Sequence, residues 1–233
     1  MKTLVIVPAY NEAESIGHVI NDLKEYFPEG DVIVINDGSS DNTSSIVRSF
    51  EVKVIDLPYN LGIGGAVQTG IKYADINNYD IAIQFDGDGQ HMAKELHHIV
   101  KPIHEGADMV VGSRFLNATD YKMPLSRKLG SLVFSSVLSL ACRQKFTDTT
   151  SGFRAYSKKG INLFSDYYPE DYPEVEALIV AHKNGVHIRE VPVSMRKRGG
   201  GKSSITPLRA IYYMTKVLLA IFIGLLRRRY LMS

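Results

Sequence analysis

Apolar residues fall in short runs separated by longer stretches where they recur every three or four positions. The runs at 4–7, 31–36, 52–56, 81–85 and 108–112 read as buried strands. Between them, 12–27 carries Ile16, Val19, Ile20 and Leu23 at helical spacing, and 41–50, 63–75 and 93–105 read as further helices. Strands alternating with helices predict an α/β fold with parallel pairing through right-handed crossovers. Ligands of such sheets sit beyond the carboxyl ends of the strands. The polar clusters fall at those ends: Tyr10 to Glu12, Asp37, Asn60 and Asp86 to Gln90. The second half is less regular. An amphipathic helix is predicted over 125–141, with Leu125, Leu129, Leu132, Val133, Val137 and Leu140 on one face. A helix over 172–184 stops at Gly185, a strand covers 187–193, and a glycine-rich loop at 199–204 leads to a last helix from Pro207.

Composition narrows the class. With 233 residues, 45% hydrophobic and 22% charged, the chain is neither disordered nor fibrous, and it can bury a full core. The single Cys142 excludes an internal disulfide and a four-cysteine zinc site, and it points to a reducing compartment. The net charge of +2 hides an asymmetry: nine Lys or Arg and no acid lie from Arg196 onward, leaving 18 bases against 25 acids before it. A basic, apolar tail on an acidic body is suited to an anionic surface or to phosphate. The N-terminal apolar run ends at Pro8 after four residues, too short for a signal peptide. In 207–226 the longest charge-free run is 217–226, too short to span about 30 Å of hydrocarbon. That helix is expected to lie on or against a membrane, the alternative being a core helix with a solvated basic end.

Four groups of residues carry candidate chemistry. Asp86 and Asp88, two apart on a glycine-lightened turn after a strand, can address one hard cation such as Mg²⁺ or Mn²⁺ together with substrate phosphates. A solvated turn is the plain alternative. Asp37 at a strand end is expected to take a base or ribose, and Asp41 to cap the next helix. Gly62, Gly64 and Gly65 open a helix without matching the dinucleotide fingerprint or the P-loop; they serve either close approach of a nucleotide or a tight turn. Arg114, Arg127 and Arg198 near element ends are matched to phosphate oxygens. The histidines and Cys142 form no site of their own, and no nucleophile elbow is present.

Val7 to Glu12, Asn36 to Thr43, Asn60 to Gly65, Asp86 to His91, Gly112 to Arg114 and Asp148 to Tyr156 occur in an order that resembles the family 2 glycosyltransferases of GT-A fold. More narrowly, the Asp148 to Tyr156 stretch and the Arg198, Gly201, Ser203 pattern resemble the polyprenyl-phosphate branch related to dolichol-phosphate mannose synthase. The resemblance covers about residues 3–204. It implies a GT-A domain over 1–204, a Rossmann-like, mostly parallel sheet flanked by helices, and a membrane-associating tail over 205–233. It implies that Pro8, Tyr10, Glu12, Asp37 and Gly62 hold the nucleotide, with Asp86 near ribose and diphosphate. Asp88 and Gln90 would ligate Mg²⁺ or Mn²⁺, and Arg114, Arg127, Arg198 and Ser203 would bind the acceptor phosphate or donor diphosphate. Where family members carry Lys after that serine this chain has Ser204, so its phosphate contacts are expected to differ.

The implied reaction is inverting transfer from a nucleotide sugar, with UDP-glucose or UDP-N-acetylglucosamine preferred, to polyprenyl phosphate on the cytoplasmic face of a membrane. Many relatives continue into transmembrane helices; here membrane residence is expected from the tail helix, a small integral membrane protein partner, or both, and a homo-oligomer stays open. The rival expectations are a soluble or polysaccharide acceptor, and a non-catalytic nucleotide-binding module. A nucleic-acid partner is not expected, because the basic tail is apolar and matches no nucleic-acid motif.

Overall fold

A computed structural model describes residues 1–116, 125–196 and 207–226, without the side chains of 125–129 and 207–213. The strands are β1 (Thr3–Ala9), β2 (Asp31–Asn36), β3 (Lys53–Asp56), β4 (Ile81–Gln84), β5 (Met109–Ser113), β6 (Arg154–Ser157) and β7 (Ile188–Pro192). The helices are α1 (Ile16–Tyr26), α2 (Thr43–Ser49), α3 (Gly62–Ile76), α4 (Leu96–His104), α5 (Leu125–Cys142), α6 (Lys158–Asp166), α7 (Pro173–Lys183) and α8 (Pro207–Leu226). The seven strands form one sheet in the order β3-β2-β1-β4-β6-β5-β7. β1 pairs in parallel with β2 and β4, β2 with β3, and β5 with β7. β6 is the exception, antiparallel to both β4 and β5.

Alternate residues of each strand feed the two faces. Val5, Val7, Ile83, Val110 and Ala155 pack with α1 and α4 residues such as Ile16, Ile20, Leu96 and Ile99. Leu4, Ile6, Ala82, Met109 and Tyr156 pack with residues of α3, α6 and α7 such as Val67, Phe164 and Leu178. Both faces are therefore apolar, which is why the parallel strands read as unbroken runs.

β6 and α6 are the elements the periodicity did not predict. β6 is only four residues long and holds the fully buried Arg154, so it shows neither alternation nor a clean apolar run. α6 follows with no intervening loop, started by Ser157, whose Oγ accepts the Gly160 N–H at 3.4 Å. α1 starts at Ile16 and not at residue 12, because Asn11 sits in the left-handed region at φ 56° and 12–15 form a turn. Gly185 ends α7 as expected, at φ 66°, with the Val186 N–H closing onto the Ala181 carbonyl at 2.9 Å.

The last helix is docked onto the body. Val217 and Ile221 of α8 lie in the same core cluster as Leu178 and Ala181 of α7. Lys183 Nζ donates to the Leu225 carbonyl at 2.6 Å, placing a cation at the negative end of α8. The opposite side of α8 exposes Leu219, Phe222, Ile223 and Leu226. Among the described residues, no helix is long and apolar enough to cross a membrane.

Candidate active site

The carboxyl ends of β1, β2 and β4 open onto a cavity of about 350 Å³. Pro8, Tyr10, Glu12, Asp37, Gly62 and Asp86, all expected at a nucleotide, line it together with Asp88. The loops that carry them are stitched to one another. Asn11 N–H donates to Ser39 Oγ at 2.9 Å, and Asn11 Oδ1 accepts the Ser40 N–H at 2.8 Å. Ser15 Oγ lies 2.8 Å from both Glu12 Oε2 and the Gly87 carbonyl, tying the β1 loop to the β4 loop. Asp41 accepts N–H groups of Thr43 and Ala13, each at 3.0 Å; the N-cap of α2 is Asn42, so Asp41 meets the first amide of the helix from one residue further out and also holds the loop after β1. Burial alone would raise the Asp41 pKa, but the hydrogen bonds from Thr43 and Ala13 outweigh it and hold the carboxyl below its ordinary value.

Asp37 is buried, and its carboxylate already has protein partners. Oδ1 accepts the Leu61 N–H at 2.7 Å and Oδ2 the Gly62 N–H at 2.9 Å. It therefore sets the entry to α3 while still lining the cavity. The glycines divide the two roles left open for them. Gly62, at φ 81°, borders the cavity. Gly64 is needed for packing, since a Cβ there would stand 2.5 Å from the Pro169 carbonyl.

The turn after β4 holds the paired acids. Asp88 Oδ1 accepts the Gln90 N–H at 3.0 Å, and Oδ2 takes a very short contact from Gln90 Nε2. Gln90 is outside the cavity lining. Its carbonyl accepts the Arg196 N–H at 2.8 Å, which fastens the segment after β7 to this turn. Among the described residues Asp86 Oδ1 is buried with no hydrogen-bond partner, while Oδ2 lies 3.4 Å from His91 Nε2. His91 itself is buried, which holds its pKa down although Asp86 and Asp88 pull it upward. Among the described residues no three His, Cys, Asp or Glu gather as a metal site, so a cation here would need Gln90 and substrate oxygens besides the two carboxylates.

Arg114 is not in the cavity lining. Its guanidinium forks onto Asp148, Nε to Oδ2 and Nη2 to Oδ1, both at 2.7 Å, and Nη2 also reaches Thr150 Oγ1 at 2.9 Å. Glu190 of β7 anchors the other side of that loop, accepting the N–H groups of Thr147 and Asp148 at 2.8 and 2.9 Å. Burial raises the Glu190 pKa, against the lowering effect of those donors. Asp148 and Glu190 carry no role in the sequence reading; the pattern shows an acid in a motif and an acid in a strand, but not their partners. The Arg127 side chain and all of Arg198 and Ser203 lie outside the described residues. A second cavity, of about 410 Å³, lies along α5 and is lined by Phe115, Ser131, Leu132, Ser135, Phe146 and Thr147 among others.

Residues 4–164 match the family described as Glycosyl transferase family 2. The UDP-N-acetylglucosamine–dolichyl-phosphate N-acetylglucosaminyltransferase of Methanococcus voltae is 37% identical over 210 residues, covering 81% of this chain and 83% of that relative. The undecaprenyl-phosphate mannosyltransferase of Micrococcus luteus is 30% identical over 215 residues, covering 88% of each. Among solved structures, the glucosyl-3-phosphoglycerate synthase of Mycobacterium tuberculosis, in complex with Mn²⁺, UDP and phosphoglyceric acid, superposes with a TM-score of 0.73. It shares 20% identity and covers 96% of this chain and 78% of that one, a likeness of fold.

Proposed function

The chain belongs to glycosyl transferase family 2, and from that premise we propose that it transfers a sugar from UDP-N-acetylglucosamine or UDP-glucose to a polyprenyl phosphate, with inversion. The observation that carries this reading is the cavity, where one opening is shared by Tyr10 and Asp37, fit for a base and ribose, and by Asp86 and Asp88, fit for the diphosphate end. The relatives named for dolichyl- and undecaprenyl-phosphate transfer support the acceptor class, and the name of the N-acetylglucosaminyl relative supports the donor.

Asp88 and Gln90, with Asp86 beside them, suit Mg²⁺ or Mn²⁺: the donors are hard oxygens, and the buried Asp86 Oδ1 has no partner among the described residues. Such a cation, when bound, neutralises charge on the departing diphosphate. The remaining work falls to the chain. Asp37 and Tyr10 hold the nucleoside in this reading, while Arg114, Arg127, Arg198 and Ser203 are assigned to the phosphates by the family resemblance. The Asp148 fork makes Arg114 a fixed donor whose charge is already matched, which places more of the neutralisation on Arg127 and Arg198. A phosphate oxygen of the acceptor attacks the anomeric carbon as the bond to the diphosphate breaks. With a second pKa of about 6, a phosphate monoester is mostly dianionic at neutral pH, so no strong general base is required. The cavity along α5, mostly apolar and lined by Phe115 next to Arg114, suits the first isoprene units.

Residues 1–204 form the catalytic part in this reading and 205–233 the membrane-attaching part, peripheral on the cytoplasmic face. The exposed Leu219, Phe222 and Ile223 enter the interface, and each nearby Lys or Arg adds about 1 kcal/mol on an anionic surface. The test is a panel of nucleotide sugars offered with polyprenyl phosphate and Mn²⁺ or Mg²⁺, reading lipid-linked product. Product from a UDP-sugar, lost on chelation, is expected. Transfer only to water-soluble acceptors would refute the acceptor class.

A further inference from the structure

His91 has had no part in the chemistry so far, yet at 3% exposure it is the most deeply buried polar side chain of the turn after β4. Its ring lies nearly parallel to Phe153, centroids 4.6 Å apart, and edge-on to Phe85 at 5.4 Å. These two contacts fix the ring plane. The Asp86 N–H donates to His91 Nδ1 at 3.0 Å. A nitrogen that accepts a hydrogen bond carries no proton, so the ring is neutral and its proton is on Nε2. Nε2 stands 3.4 Å from Asp86 Oδ2, a close approach off the N–H axis rather than a hydrogen bond. The backbone closes in elsewhere around the same group: a Cβ on Gly152 would stand 3.0 Å from Oδ2 and 3.2 Å from Oδ1.

We propose that His91 is a positioning residue for Asp86, its imidazole pinning the backbone of that aspartate so that the carboxylate meets the donor in a single orientation. The inference rests on the nucleotide-sugar reading of the cavity. The geometry is local and closed: Phe85 and Phe153 hold the ring, and its Nδ1 holds the Asp86 N–H at the root of the carboxylate. Gly152 is needed because any side chain there would crowd the carboxylate.

The test is calorimetric titration of UDP, with GDP in a parallel arm, with and without Mn²⁺, into the full chain. His91→Phe keeps the ring stack and removes the Nδ1 acceptor; His91→Gln offers an amide oxygen in its place. Nucleotide affinity in Mn²⁺ is expected to fall about tenfold in His91→Phe and by less in His91→Gln. On an Asp86→Asn background, whose altered side chain His91 no longer orients as a carboxylate, the same substitutions are expected to cost little more. Equal losses on the two backgrounds, or wild-type affinity in His91→Phe, would overturn the inference. Should His91→Phe fail to fold, His91→Gln gives the same comparison. A wild-type chain that binds neither UDP nor GDP would refute the cavity reading and this inference with it; wild-type binding with indifferent His91 variants refutes the His91 role alone.

Discussion

Replacing Asp148 by asparagine changes one atom and sets two donors against each other. The Asp148 carboxylate is fully buried, takes the Arg114 fork at 2.7 Å on both arms, and accepts the Arg114 N–H at 3.0 Å. The new amide group faces either Nε or Nη2, and the guanidinium loses its counter-ion. Removing one partner of a buried pair costs about 3–5 kcal/mol. Arg114 keeps 13% exposure, so water relieves part of that, and about 3 kcal/mol is the expected loss. For 233 residues the unfolding entropy is about 0.5 kcal/mol/K, so the melting midpoint is expected to drop about 6 °C. Calorimetry and urea unfolding at neutral pH measure both quantities. Transfer should fall too, since Arg114 is no longer held. A loss under about 1 kcal/mol would mean that the pair behaves like a solvated surface ion pair, and the placement of Arg114 as a fixed donor would be wrong.

Asp88→Ala should abolish metal-dependent transfer with an unchanged melting curve; full turnover by that variant under strict chelation would remove the metal role. Changing Leu219, Phe222 and Ile223 together to serine leaves the buried Val217 and Ile221 in place, and it should release the protein from anionic vesicles in a sedimentation assay; unchanged co-sedimentation would count against the α8 contact. Asp41→Ala should cost about 1 kcal/mol at neutral pH, as the lost acceptor of the first α2 amide. Because the folded Asp41 pKa lies below its ordinary 3.8, its contribution is present above that value and fades as pH falls through the folded one. The gap between wild type and variant in urea unfolding should therefore narrow in acid; a gap that is flat or widens there would contradict the capping geometry.

The parallel part of the sheet was legible because strands buried on both faces leave continuous apolar runs, and the cavity because such strands bring their carboxyl ends to one edge. Tyr10, Glu12, Asp37, Asp86 and Asp88 follow from that rule, while Pro8 was named only through the family resemblance and Gly62 stood open between a turn and a nucleotide contact. What stayed hidden depends on partners distant in sequence. Arg114 and Asp148 are 34 residues apart, and nothing in either neighbourhood announces the fork. Asp37 lines the cavity, but its second task at the entry to α3 stayed hidden because its backbone donors, Leu61 and Gly62, have no side-chain signature. His91 sits in a run of Asp, Gly and Gln that reads as solvated, and only the arrival of Phe153 ahead of a reversed strand buries it. β6 was missed because it is short and opens on a buried arginine, whose Nε and Nη2 find the Ser151 and Glu174 carbonyls in place of water.

The grip of Lys183 on the end of α8, with Val217 and Ile221 seated against α7, leaves that helix no swivel. A tethered anchor would let the catalytic body tumble above whatever plane it met. A welded one fixes tilt and height: once Leu219, Phe222 and Ile223 rest on a plane, the direction of the cavity mouth is already decided. If α8 is the membrane contact proposed above, sliding it along α7 by one turn would raise or lower the whole body by up to about 5.4 Å, more than the length of a carbon–carbon bond by several times, so the register of two helices would set the height of the cavity mouth.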